Sequence, residues 1–338
     1  MDPRLAVNLL SDRLAALPLA IVYVTDRCNS RCVTCDYWRV GQTNLPMAAA
    51  ERLARELPAL GTQVVLLSGG EPLLHPQWET IAVTFKQAGL RLWLLTAGLA
   101  LARHAARAAA LCETITVSLD GATPKTYQAI RGVDGFAAVT AGVRAAVAAG
   151  AKVTLRCTVQ RANYAELPAL VDLGLALGVQ QVSFLAVDVS THVAFARAAD
   201  YDQTMALRPD DLPRFAAVLT ELERTHAADF ASGFIAERPA KLRRLHQYFA
   251  ALLGQSAFPP VACNAPRFSA VIGADGHLQP CYFIPGTGKL NGAPLAEALN
   301  TPEAVTLRRA IRQGERAECE RCVCALHRGP HQLLLAGV

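Results

Sequence analysis

The 338-residue chain has few aromatics (6%) and few charges (18%), and it has no clean apolar run of the roughly 18 residues that a membrane-spanning helix needs. Its mean hydropathy of +0.24 comes largely from alanine and leucine spread along the chain. A membrane protein is therefore not expected. With 52% hydrophobic residues the chain is not a disordered one either. The first residues mix acids and bases and lack a basic start, an apolar centre and a small-residue cleavage site, so the expected location is the cytoplasm. Lys and Arg exceed Asp and Glu only by 33 to 28, with no basic block, so no nucleic-acid partner is expected. No internal repeat is apparent.

What the chain does have is ten cysteines. A chain long enough to bury its own core, with no export signal, uses cysteines for metal or redox chemistry sooner than for disulfides. Cys28, Cys32 and Cys35 stand near the start, and Cys263, Cys281, Cys319, Cys322 and Cys324 in the last quarter. Cys112 and Cys157 lie between and read as core thiols. Two groups imply two sites.

Between the groups, β-rich runs alternate with helical ones. Strands are predicted at 19–25, 63–68, 90–96, 114–119, 151–159 and 181–187, and helices at 46–59, 76–88, 99–110, 135–149 and 163–177, the last with Asn163 as N-cap. Gly61, Gly89, Gly150 and Gly178 fall where left-handed helix ends are expected. Such βα repetition describes a parallel α/β sheet, doubly wound or curled into a partial barrel. From 188 the chain turns polar and irregular, as a functional lid or a disordered segment would, and helices are predicted from Asp211 and over 238–253. The Gly-, Pro- and Cys-rich stretch from 259 reads as a separate small domain. The predicted division is therefore 1–187, 188–258 and 259–338.

Cys28-x3-Cys32-x2-Cys35 directly follows the first strand, on the side where parallel strands present ligand-binding loops. Three thiolates so spaced can hold three irons of a [4Fe-4S] cluster and leave the fourth open; a zinc site or unrelated thiols are the alternatives. The second strand ends in Ser68-Gly69-Gly70-Glu71-Pro72. Paired glycines let the main chain approach a bound group, and Glu71 can accept from an ammonium.

The order and spacing of CNSRCVTC (28–35), SGGEP (68–72), LLTAG (94–98) and VSLDGATPKTYQAIRG (117–132) resemble the radical S-adenosylmethionine (SAM) superfamily over roughly residues 19–187. The resemblance implies a partial (β/α)6 TIM-like barrel and a [4Fe-4S] cluster whose open iron chelates SAM. It also implies reductive cleavage to methionine and a 5′-deoxyadenosyl radical, with an external electron donor such as flavodoxin or ferredoxin. Cys28, Cys32 and Cys35 are then the cluster ligands, and Gly69, Gly70 and Glu71 contact the methionine amino end. Thr96, Ser118, Arg131 and Arg156 are expected near the ribose or carboxylate. Two positions depart from the family pattern: Thr34 stands where an aromatic residue is common, with Tyr37 and Trp38 as substitutes, and Ala97 replaces an asparagine.

Cys263-x12-Gly276-x4-Cys281 followed by Cys319-x2-Cys322-x-Cys324 resembles the auxiliary-cluster domains called SPASM and twitch, in the shorter twitch form. That implies an auxiliary [4Fe-4S] cluster on Cys263, Cys281, Cys319 and Cys322, for which Cys324 or His327 can substitute; a four-cysteine zinc knuckle is the alternative. Four protein ligands close the cluster, so an electron relay at the barrel mouth is its expected role. Cys324, left over, is the candidate hydrogen-atom donor for an epimerisation. His192, Arg197, Asp200, Tyr201 and Asp202 are expected to line the substrate pocket. The expected activity is oxidation or epimerisation of a small polyol or sugar-like molecule, since no appended leader-peptide domain is evident. A peptide-modifying maturase and a non-catalytic iron-sulfur or zinc scaffold are the other readings.

Overall fold

The apolar runs fold as six parallel strands: β1 Leu19–Thr25, β2 Val64–Gly69, β3 Arg91–Thr96, β4 Thr114–Ser118, β5 Val153–Val159 and β6 Gln181–Ala186. The computed structural model describes residues 3–191, 194–197 and 203–329. Helix α1 (Arg4–Leu10) precedes β1, and α2 (Tyr37–Val40) and α3 (Met47–Ala59) join β1 to β2. The later crossovers are α4 (Trp78–Gln87), α5 (Leu101–Leu111), α6 (Pro124–Arg131) with α7 (Phe136–Ala148), and α8 (Leu167–Leu177). The polar segment after β6 leads to α9 (Asp211–Thr225), α10 (Ala227–Ser232) and α11 (Pro239–Leu252). Among the described residues no helix is long and apolar enough to cross a membrane.

Each crossover helix buries one stripe. Leu101, Ala105, Ala108 and Leu111 of α5 recur at helical spacing and enter one core with the even residues Ala20, Val22 and Val24 of β1. The odd residues Leu19, Ile21 and Tyr23 face the concave side, with Val64, Leu66 and Trp93. That side changes character across the sheet. It is apolar at β1 to β3, while on β4 to β6 Thr116, Ser118, Arg156 and Ser183 take the positions that alternate with the core-facing residues. The turn glycines Gly61, Gly89, Gly150 and Gly178 all have positive φ, as their positions require. Asn163 departs from expectation. It begins a helical turn, but its amide donates to Asp120 O (2.8 Å) and Thr158 O (3.0 Å) and ties two strand ends together.

The C-terminal stretch does not form a sheet of its own; its first strand extends the main sheet. Strand β7 (Ser269–Ile272) pairs in parallel with β1, Leu19 opposite Ser269, and the hairpin continues through β8 (His277–Gln279) to β9 (Gly288–Lys289). The result is one nine-stranded, unclosed sheet in the order β6-β5-β4-β3-β2-β1-β7-β8-β9. Edge strand β1 would otherwise leave its backbone groups unpaired, and β7 satisfies them. Three further helices, α12 (Leu295–Ala298), α13 (Pro302–Gln313) and α14 (Ala317–Glu320), lead to the last cysteines.

Candidate functional site

The loop of Cys28, Cys32 and Cys35 leaves the C-terminal end of β1 and is held by main-chain bonds. Arg31 N and Val33 N donate to Arg131 O (2.9 Å) and Ile130 O (3.0 Å) at the end of α6. On its other side Gly70 N donates to Thr25 O (2.9 Å) and Glu71 N to Arg27 O (2.8 Å). A Cβ at Gly69 would overlap Thr25 O, and one at Gly70 would overlap Arg27 O and Asp26 O. The glycine pair is thus required first by the approach of the cysteine loop's own backbone. Gly132, with φ +68, ends α6 where a side chain would strike Arg31 O.

Glu71 is fully buried, and its carboxylate accepts from Leu73 N (3.0 Å), Thr96 Oγ1 (2.8 Å) and Ala97 N (2.6 Å). Burial pushes its carboxyl up, and these donors hold it back. Its side chain is therefore not offered to an ammonium at the rim, as the sequence reading expected; only the main chain of this turn is. Thr96 likewise turns to the helix side, 2% exposed, and holds Glu71. The contact at position 97 comes from a backbone N–H, so Ala97 supplies it without a polar side chain.

Arg131 does not project into the concave interior. Its guanidinium pairs with buried Asp120 (2.8 Å), and Nη1 donates to Cys32 Sγ (3.3 Å). Asp120, whose carboxyl burial pushes up, also accepts from Thr158 N (2.7 Å). A line of contacts thus runs from the end of β5 through Asp120 and Arg131 to the second cysteine. Ser118 and Arg156 lie side by side in register on the concave face, and Arg156 Nε is buried without a hydrogen-bond partner.

The three thiols fit a cluster. Burial, with smaller contributions from Cys32 and Glu71, pushes Cys28 up to about 11, and burial pushes Cys35 up to about 12. Such thiols lose their protons to solvent readily when a metal binds the sulfur. Asn29 Oδ1 and Ser30 Oγ in the same loop are buried without partners. No three His, Cys, Asp or Glu side chains among the described residues converge as a single ion requires, whereas ligands to separate irons of one cluster stand farther apart.

The C-terminal cysteines stand at the other end of the strands. Cys263 precedes β7, and Cys281 follows β8, which runs back antiparallel, so both lie toward the start of β1. A cavity of about 1020 Å³ is lined by Cys263, Cys281, Cys319, Cys322 and Cys324 together with Leu19 and Ile21. This corrects the expected position at the barrel mouth. The two cysteine sets are separated by the length of β1, about 20 Å for a strand of this size. Burial raises Cys281 to about 12 and Cys319 to about 11, and both feel Cys263. Cys324 is exposed, with Arg156, Cys263 and Lys241 nearby. Tyr282 lies within reach of both Cys324 and Ser68. It stacks on Tyr23 (6.4 Å), which meets Tyr37 edge-on (6.0 Å). Tyr37 is thus engaged with Tyr23.

Of the expected substrate-pocket residues, His192, Asp200, Tyr201 and Asp202 lie outside the described residues. Arg197 is a brace and does not line a pocket. It pairs with Asp188 (3.0 Å), both side chains being at most 3% exposed, and donates to Thr34 O (2.9 Å). Asp36 N donates to Phe195 O (3.0 Å), so the segment after β6 grips both sides of Cys35. Cys112 and Cys157 are buried in the main core. Sequence reasoning missed α6, although Thr123 and Pro124 form its N-terminal signal and Gly132 its end. It also missed Asp120 and the Tyr23–Tyr282 contact, which no local pattern announces.

Comparison with protein-family models matches residues 22–174 to the radical SAM superfamily and residues 263–323 to SPASM, an iron-sulfur cluster-binding domain. Among curated proteins, the chain is similar to the Fe-coproporphyrin III synthase of Methanosarcina barkeri, at 32% identity over 46% of this chain and 40% of that protein. It is also similar to the AdoMet-dependent heme synthase of that organism, at 29% over 60% and 57%. The chain thus spans about half the length of these relatives. Among solved structures, Streptococcus suis SuiB bound to S-adenosylmethionine has a TM-score of 0.68 at 15% identity, covering 96% of this chain and 76% of that one. The anSMEcpe structure with bound AdoMet has a TM-score of 0.66 at 16% identity, covering 91% and 89%. These two show a shared fold.

Proposed function

The chain belongs to the radical SAM superfamily and joins that domain to a SPASM-type iron-sulfur cluster-binding domain, and from this premise we propose that it oxidises or epimerises a small polyol or sugar-like substrate held between its two cysteine sets. The cofactors are SAM and two [4Fe-4S] clusters. Bound there, SAM and the first cluster supply a 5′-deoxyadenosyl radical on one-electron reduction, and the second cluster supplies a one-electron acceptor. Oxidation of a carbinol to a carbonyl removes a hydrogen atom, a proton and an electron, which is why an acceptor is needed.

The observation that carries this reading is the placement of the two cysteine sets at opposite ends of one concave sheet face, with polar residues between them. Cys28, Cys32 and Cys35 would hold the first cluster, with Arg131 donating to Cys32. The main chain of Gly69 and Gly70 would accept from the amino group of SAM, positioned by Glu71 and Thr96. Ser118 and Arg156 face the interior, where a carboxylate or ribose needs donors. Cys263, Cys281, Cys319 and Cys322 would hold the second cluster. Cys324, exposed beside Arg156, is the residue from which a hydrogen atom would return in an epimerisation, its thiyl radical then being restored to the thiol by one electron from the external donor, relayed through the second cluster, and a proton from solvent; His327 also lines the cavity and remains an alternative ligand. Reducing electrons would come from a flavodoxin- or ferredoxin-type donor.

A peptide substrate is the second reading, favoured by the size of the 1020 Å³ cavity and by the fold shared with SuiB bound to a precursor peptide. The test is anaerobic reconstitution with iron and sulfide counting, then assay for 5′-deoxyadenosine with dithionite. Formation of deoxyadenosine with two clusters per chain supports the proposal. No deoxyadenosine from a fully loaded, reduced protein rejects it. Loss of H2 from a polyol, against a mass change in a peptide, separates the two substrate classes.

A further inference from the structure

A second cavity, of about 530 Å³, opens at the outer edge of the sheet and has no role in the reading above. Arg161 lies just beyond the end of β5, Val189 and Ser190 just beyond the end of β6, and Arg208 shortly before α9. Leu252 and Leu253 at the end of α11 form an apolar wall, and Arg321, from the loop between Cys319 and Cys322, closes the far side. Its volume is that of a small-molecule site.

The charge of this cavity is one-sided. Among the described residues its lining contains three arginines and no carboxylate. Among the described residues none of the three makes an ion pair, whereas Arg52, Arg107, Arg224, Arg243, Arg312 and Arg316 on the same surface do. The nearby acid, Asp211, is committed elsewhere: it accepts from Arg208 N (2.8 Å) and from Tyr164 Oη (3.0 Å). Arg161 Nη1 is buried and has no hydrogen-bond partner. A buried guanidinium N–H without an acceptor is costly, and an anionic ligand relieves it by a charge-assisted bond. Arg321 is steadied over the ring of Phe258 (5.4 Å), which orients its fork without using its donors.

We propose that this cavity binds an anionic group of the substrate, a carboxylate or a phosphate, with Arg161, Arg208 and Arg321 as its donors. The inference rests on the proposed sugar-like substrate and narrows it to a sugar acid or sugar phosphate. The ends of β5 and β6 are where a parallel sheet receives ligands.

The test is calorimetric titration of the anaerobic, cluster-loaded protein with glucose 6-phosphate, glucuronate and glucose at constant ionic strength. At least one charged sugar is expected to bind about tenfold or more tighter than glucose, as one charge-assisted bond allows; which one binds tells phosphate from carboxylate. Arg161→Gln and, independently, Arg321→Gln are expected to abolish that preference, with circular dichroism and cluster absorbance checking that each variant folds. No preference in the wild type, or a preference that survives both substitutions, overturns the proposal. Deoxyadenosine formation by the wild type is scored separately, so a failure of the radical SAM reading is distinguishable from a failure of this site.

Discussion

The two cysteine sets differ in what holds them. Cys28, Cys32 and Cys35 share one loop of eight residues that is bonded to α6 on one side and to the Gly69–Gly70 turn on the other, with Arg197 gripping Thr34. The C-terminal cysteines come from three separate segments, around 263, 281 and 319–324. Between these segments the described main-chain bonds are few, such as Asn264 N to Leu326 O (3.0 Å). The first site is shaped by the protein before any metal arrives. The second is expected to depend on its metal to join the segments, as small metal-bound domains do.

That contrast can be broken most directly at the cysteines. Cys28→Ala is expected to lower 5′-deoxyadenosine formation more than about 10³-fold, as loss of the group performing the chemistry does. Cys281→Ala is expected to retain deoxyadenosine formation and lose coupled product. Equal loss in both variants would show that the sites do not divide the work. Chelating the iron is expected to speed proteolysis within 259–329 by more than about tenfold while leaving 26–40 resistant, since an open segment is cut in proportion to its open population. Mass spectrometry of the first fragments decides this.

Asp188→Asn breaks the buried ion pair with Arg197 and is expected to cost about 3–5 kcal/mol, as removal of one partner of such a pair does. Urea denaturation under argon measures it, and unchanged stability would mean that the brace contributes little to the first site. Gly70→Ala forces Arg27 O and Asp26 O apart; a loss of about 1–3 kcal/mol, with poor assembly of the first cluster alone, would sharpen the comparison. The smallest effect concerns Asp12, whose carboxyl is held below its usual value by bonds from Arg312 and Arg309 of α13. A depressed carboxyl contributes stability above its unfolded pKa of about 4 and loses it as pH falls through the folded value. Asp12→Asn should therefore cost about 0.5 kcal/mol at pH 7 and nothing at the acid end of the melting series.

The six parallel strands, the crossover helices other than α2 and α6, and both cysteine sets were legible because each is a local pattern. Alternation and helical stripes report burial one element at a time, and Cys28-x3-Cys32-x2-Cys35 lies within one loop. What no local pattern announced is the partners: Thr96 faces the helix layer to hold Glu71, and Arg131 turns to Asp120 and Cys32. Arg197 was read as a pocket residue because it sits in a polar loop, and its buried partner Asp188 explains why it is not.

The amino-acid order by itself determined which side chains could bind metal, which runs had to be strands, and which turns needed glycine. These follow from chemistry and from steric limits acting over a few residues. Only the tertiary structure decided that β7 joins β1, and so carried the second cysteine set to the far end of the strand from the first. Pairing of β7 with β1 joins residues some 250 positions apart, and such a pairing is chosen by the edge left unpaired and the face left uncovered. Neither of those exists until the sheet has formed.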